Sequence, residues 1–115
     1  MKTLGLLVVV AAAVAVAYPV ATSAQGSWYP IGDPVNEPHV QELGAWAVAE
    51  HVKQAHDGLK FSKVVSGEEQ SVAGVKYHLV IEALNGAGKQ GKYEAMLVEE
   101  ARDNTRTLIS FSPAN

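Results

Sequence analysis

At Gly58 the apolar period of this chain changes, and no other feature constrains the fold as much. Before it, Val40, Leu43, Gly44, Ala47, Val48, His51 and Ala55 recur at helical spacing. They make one stripe on a helix of roughly five turns. Gln41, Glu42, Glu50, Lys53 and Gln54 mostly face away from it. Asn36-Glu37-Pro38 reads as the helix start, a polar residue and an acid ahead of a first-turn proline. Gly58 reads as the stop. Beyond it the period is two. Val75, Tyr77, Leu79, Ile81 and Ala83 alternate with Lys76, His78, Val80 and Glu82, the clearest strand in the chain. Lys60 to Ser66 is a second strand, with Phe61 and Val65 at alternate positions; Tyr93 to Val98 and Thr105 to Phe111 are two more. "NGAGKQG", residues 85–91, is a turn by its Asn-Gly and repeated glycines. "EEARDN", residues 99–104, joins the last two strands. "GSWYPIGDPVN", residues 26–36, carries Gly and Pro at short intervals and reads as an extended, irregular arm. One helix ahead of about four antiparallel strands predicts an α+β domain, the helix covering one sheet face.

The first residues predict an address. Met1-Lys2 supplies a positive charge, Leu4 to Ala17 is an unbroken apolar run, and small residues follow Tyr18-Pro19 up to Ala24. That order is the order of a secretory signal. The other reading, a membrane anchor, needs a run of about 20 residues, which this one does not reach. Residues 1–24 are therefore expected to be a signal, cleaved after Ala24 or, second, Ala21; residues 25–115 form one small secreted domain, with vacuolar delivery left open. No second apolar run follows, so no membrane contact is expected after cleavage. Without Lys2 the chain has eight Lys/Arg against twelve Asp/Glu, no electrostatic basis for binding nucleic acid. There is no cysteine, so thiol chemistry, cysteine-bound zinc and disulfides are all excluded. Small secreted domains commonly rely on disulfides; here the apolar core has to hold the fold.

The side chains that could carry catalysis are poorly arranged for it. His51 and His56 are five apart on the helix, not the four of a zinc helix. His39 and His78 have no evident partner. "GAGK", residues 86–89, lacks the spacing of a phosphate loop and leads into a strand. Glu68-Glu69 and Glu99-Glu100 are adjacent pairs that a strand sends to opposite faces, solvated edges and not a carboxylate dyad. No nucleophile elbow supports a small Ser/His/Asp hydrolase. The chain reads as a non-enzyme without cofactor or metal. Trp46, on the helix, reads as core or core edge. Trp28 is different, because it sits in the arm, where packing gives it less reason to be.

"EEQSVAGVKY", residues 68–77, places an uncharged, partly apolar tip between two strands. Gln70-Ser71-Val72-Ala73-Gly74 fits Q-x-V-x-G, the first inhibitory hairpin of the cystatins. Leu43-Gly44-Ala45-Trp46-Ala47-Val48-Ala49-Glu50-His51 resembles the helix signature of plant cystatins, the phytocystatins. Gly26-Ser27-Trp28 sits where that family carries Gly-Gly-Trp or a close relative; "EPHVQELG", "GLKF" and the C-terminal F-x-P-A are similar too. The resemblance covers nearly all of residues 25–115. It implies the cystatin fold, a curved antiparallel sheet of four to five strands wrapped around one helix. It also implies a monomer that reversibly inhibits papain-like cysteine proteases, endogenous or from herbivores and pathogens, with plant defence among its roles.

In that scheme Gly26 and Ser27, the tip Gln70 to Gly74 (Gln70, Ser71, Val72, Ala73, Gly74), and Ala101-Arg102 line up as a wedge. An uncharged tip can enter an apolar cleft without stripping water from a charge. Gly26 lets the arm pass close to the target's thiol; Gln70 either bonds at the rim or braces the turn; Gly74 keeps the turn narrow. The chain departs from the family at Ala45, Trp46 and Val52 on the helix and at Ser27 in the arm. The larger departure is Ala101-Arg102, where phytocystatins usually place Pro-Trp. A decayed, non-inhibitory or weakly inhibitory scaffold is therefore the alternative.

Overall fold

The computed structural model describes residues 27–71, 74–100, 102 and 105–114. In chain order these form β1 (Tyr29–Pro30), a 3-10 turn (Pro34–Asn36), α1 (Pro38–Ala55), β2 (Lys60–Ser71), β3 (Val75–Leu84), β4 (Gln90–Glu100) and β5 (Thr105–Pro113). The strands form one sheet in the order β1-β2-β3-β4-β5, and every neighbouring pair is antiparallel. The expectation of one helix on an antiparallel sheet holds.

Pro38 opens α1, where its missing N–H would have had no partner. The helix ends at Ala55, and His56, not Gly58, is the left-handed cap, with φ 53° and its N–H donating to Val52 O at 2.8 Å. Gly58, φ 72°, serves the next bend into β2. Val40, Leu43, Gly44, Ala47 and Val48 bury one face of α1 against the sheet. His51 is half-buried and Ala55 exposed, so the stripe thins toward the C-terminus. The opposing layer is Val64, Leu79, Ile81, Ala83, Ala95 and Leu97, all fully buried. Gly44 is required by close approach: a Cβ there would collide with the side chains of Val64 and Phe61. Any other residue would push β2 off the helix, which outweighs the ~1 kcal/mol that glycine costs in a helix interior.

β2 is longer than the alternation predicts, running on to Ser71, and it carries two register irregularities, between Phe61 and Lys63 and between Val64 and Ser66. They shift the side-chain period, so that Val64 is the core residue and Val65 only half-buried. Gln41, read as outward-facing, turns inward to serve this irregular backbone. Its amide donates to Val64 O (3.0 Å) and Pro34 O (2.9 Å), and its carbonyl accepts from Val64 N–H (3.0 Å). The arm read as irregular holds a short strand: Tyr29 pairs with Glu69 and Pro30 with Glu68. At the far end of the helix His51 stacks on Phe111 at 4.2 Å, Phe111 on Tyr93 at 5.6 Å, and His51 Nε2 meets Asp57 Oδ2 at 2.6 Å.

Candidate functional site

Strand register decides where the sequence-predicted contact residues go. Ser71 pairs with Val75, so β2 and β3 turn through residues 72–74. Val75 pairs with Glu99, and Glu100 with Thr105, so the turn from β4 into β5 lies at the same end of the sheet. Tyr29 lies opposite Glu69, so the chain ahead of Tyr29 runs antiparallel to β2 and toward that same end. Arm, first hairpin and second hairpin thus share one edge. Gly26, Val72, Ala73 and Ala101 lie outside the described residues. Ser27, Ser71 and Arg102 are exposed there, and Gly74 is half-buried.

Gln70 differs from its neighbours. It is only 3% exposed, the one buried polar residue among those described. It pairs with Lys76, two places along from the Glu68–His78 pair, so strand alternation puts its side chain on the sheet face away from α1, next to the tip in the chain.

Gly74 lies against the neighbouring hairpin. A Cβ there would sit 2.5 Å from Glu99 O and 3.1 Å from Glu100 Cα. The two hairpins approach each other backbone to backbone, and only glycine leaves room. The base of the second hairpin is itself held. Glu99 accepts from Arg106 Nε at 3.1 Å and lies 2.7 Å from His39 Nε2 on α1. Arg106 Nη2 donates to Glu42 at 3.2 Å, and the guanidinium stands 5.9 Å from the centre of the Trp46 ring. His39 therefore has a partner after all, and Glu99, read as a solvated edge, is only 17% exposed along its side chain. His78, too, is engaged, near Glu94 and Glu68. His39 and Glu99 lie 60 residues apart and Arg106 and Glu42 64, so those two contacts carry no local signature.

The electrostatics follow the contacts. Hydrogen bonding from Arg106, then its charge, holds the Glu42 carboxyl below its ordinary value. Partial burial works against the Arg106 charge, but the bonds to Glu42 and Glu99 outweigh it and keep the guanidinium more firmly protonated than usual. Burial, reinforced by the charges of Glu99 and Glu69, pushes the Tyr77 phenol up. Among the described residues no cluster of His, Cys, Asp or Glu could hold a metal ion, and no helix is long and apolar enough to cross a membrane. What the edge offers is shape: two hairpins locked side by side, with a chain running beside them.

One helix laid across a five-stranded antiparallel meander is the cystatin fold. The structure superposes on the crystal structure of a salivary cystatin from the soft tick Ornithodoros moubata with a TM-score of 0.67, covering 78% of this chain and 98% of that one at 20% identity. In sequence, the aspartic acid proteinase inhibitor family (SQAPI) matches residues 32–114. Putative cysteine proteinase inhibitor 7 of Oryza sativa subsp. japonica is 46% identical over 115 residues, 98% of this chain and 97% of the relative. Cysteine proteinase inhibitor 8 of the same plant is 49% identical over 89 residues, covering 77% and 72%. Cysteine proteinase inhibitor 5 of Arabidopsis thaliana is 42% identical over 98 residues, covering 85% and 80%. The chain belongs to the plant cystatin family of protease inhibitors, and it is not an enzyme.

Proposed function

We propose that the chain is a secreted, monomeric, reversible inhibitor of papain-like cysteine proteases, blocking their clefts with the edge just described. The observation that supports this is the strand register, which brings the described residues flanking the three sequence-predicted segments to one end of the sheet. The names of the plant relatives supply the protease class. Val72 and Ala73 enter the cleft, Ser71 follows, and no charge needs to lose its water. Gln70 acts as a brace beside the tip, since it is too buried to form the rim. Gly74 keeps the first hairpin tight against the second. Gly26 and Ser27 add a late contact from the arm. Ala101-Arg102 forms a weaker third contact than Pro-Trp would. No peptide bond of the inhibitor need lie in line for attack, so the complex is reversible and uncleaved. The apolar run Leu4 to Ala17 supports export to the apoplast or vacuole.

A second reading has one observation in its favour. The matching family is described as an aspartic acid proteinase inhibitor. The Q-x-V-x-G tip argues for the cysteine class. Titrating papain and pepsin in parallel with the chain beginning at Gln25 tests both. Inhibition of papain alone is expected. Inhibition of pepsin alone supports the second reading, and inhibition of neither supports the decayed scaffold.

A further inference from the structure

Trp28 has no evident structural task in the sequence, yet it is half-buried at the start of the described chain. Its indole meets the imidazole of His78 edge to face, ring centres 6.4 Å apart and planes at 73°. His78 lies on β3 between Tyr77 and Leu79, which are buried under α1. Alternation therefore puts His78 on the outer face of the sheet, away from the helix. There the ring is held from both sides. Its Nε2 is 3.1 Å from Glu94 Oε1 on β4, and its Nδ1 is 3.7 Å from Glu68 Oε1 on β2. The hydrogen bond with Glu94 holds one nitrogen, Glu68 lies near the other, and the ring's remaining surface is presented to Trp28.

The arm needs such a hold. β1 is two residues long, and one of them is Pro30, which has no N–H to give. The next fixed point, Ile31 N–H donating to Gly67 O at 2.9 Å, is farther from Gly26 in the chain. A two-residue pairing does not by itself order the chain ahead of it. Among the described residues the aromatic contact is the fixed point nearest to Gly26 in the chain.

We propose that Trp28 on the outer-face site made by His78, Glu68 and Glu94 anchors the N-terminal arm and thereby sets how Gly26 and Ser27 are presented to a protease. Trp28 and His78 are positioning residues, acting through the arm. The proposal rests on the inhibitor reading above, and its test separates the two.

The first readout does not involve a protease. In a Trp46→Phe background Trp28 is the only indole. His78→Ala should raise its quenching by acrylamide about twofold, and His78→Phe, which restores an aromatic edge, should return it to the starting level. If Trp46→Phe fails to fold, fluorotryptophan resonances in the native chain report the same change. The second readout is dissociation from papain. His78→Ala and Trp28→Ala should each speed it about three- to tenfold, the range expected for one aromatic pair. In a chain lacking residues 25–27, His78→Ala should have no further effect. A role in general stability would instead lower the melting temperature and act equally in the truncated chain. Unchanged Trp28 quenching in His78→Ala overturns the anchor. Changed quenching with an unchanged dissociation rate overturns its role in presentation. If the unmodified chain does not inhibit papain, the inhibitor reading falls, and the quenching result alone decides the anchor.

Discussion

Replacing Gly74 by alanine should weaken inhibition, or stability, by a measurable and bounded amount. The new Cβ would lie 2.5 Å from Glu99 O, whereas ordinary contact begins at about 3.4 Å. The hairpins must therefore part by about 0.9 Å at this point. Neither neighbour can simply rotate away, because both nearest atoms are backbone and Glu99 is tied to Arg106 and His39. Overpacking of this kind costs about 1–3 kcal/mol. If the hairpins stay together and the fold absorbs the strain, the melting temperature drops by at least ~4 °C. If they separate, the tip moves relative to Ala101-Arg102, and affinity for papain falls about five- to a hundredfold. Inhibition constants and thermal unfolding on the same samples distinguish these outcomes. Gly32→Ala is the control, because a Cβ there would meet nothing within 4 Å. A Gly74→Ala protein that matches wild type within twofold in inhibition and within about 1 °C in melting would refute the close apposition of the hairpins.

Arg106→Met removes two carboxylate partners and the contact with Trp46 while keeping most of the side-chain volume. Because the pairs are only partly shielded, the loss in urea unfolding should be about 1–2 kcal/mol, and a neutral result would contradict the bracing role given to it. At Asp57 burial raises the carboxyl pKa, but the bonds from His51 and from Leu59 N–H prevail, so the folded value lies below the ordinary one. The unfolded chain therefore binds this proton first as pH falls, so the stabilisation is present at neutral pH and is lost on acidification below pH ~4. Urea midpoints from pH 6 to pH 3 should show that loss, and Asp57→Asn should flatten the slope. Restoring the family residues with Ala101→Pro, Arg102→Trp should tighten papain inhibition several-fold, mainly by slower dissociation. Weaker binding would instead make Arg102 itself a contact.

The helix and β3 were legible in the sequence because each has an unbroken period with one buried face. β2 was legible only in its first half. Its irregularities put Val64 where Val65 was expected, and Glu68 to Ser71 offer no apolar alternation although they pair fully with β3. A two-residue strand with a proline, β1, leaves no pattern to read. The tip was visible as Q-x-V-x-G, but what supports it was not. Gly74 meets Glu99 through strand register, and His39 reaches Glu99 across 60 residues of chain. Gln41 and Gln70 look like any polar surface residues until the backbone around them is known. Gln41 turns inward to hold an irregular strand, and Gln70 is buried on the outer face of the sheet beside the tip.

The central claim is that an uncharged hairpin at this edge enters a cysteine protease cleft. Titrating active-site-quantified papain with the chain beginning at Gln25, beside its Val72→Asp variant, tests it most directly. Wild type should inhibit reversibly, one molecule per active site, at or below about micromolar concentration, and should be recovered uncleaved. Val72→Asp should stay folded and lose most of that inhibition, because a carboxylate would have to shed its water in the cleft. Equal inhibition by the two proteins, or none by a folded wild type, would contradict the claim.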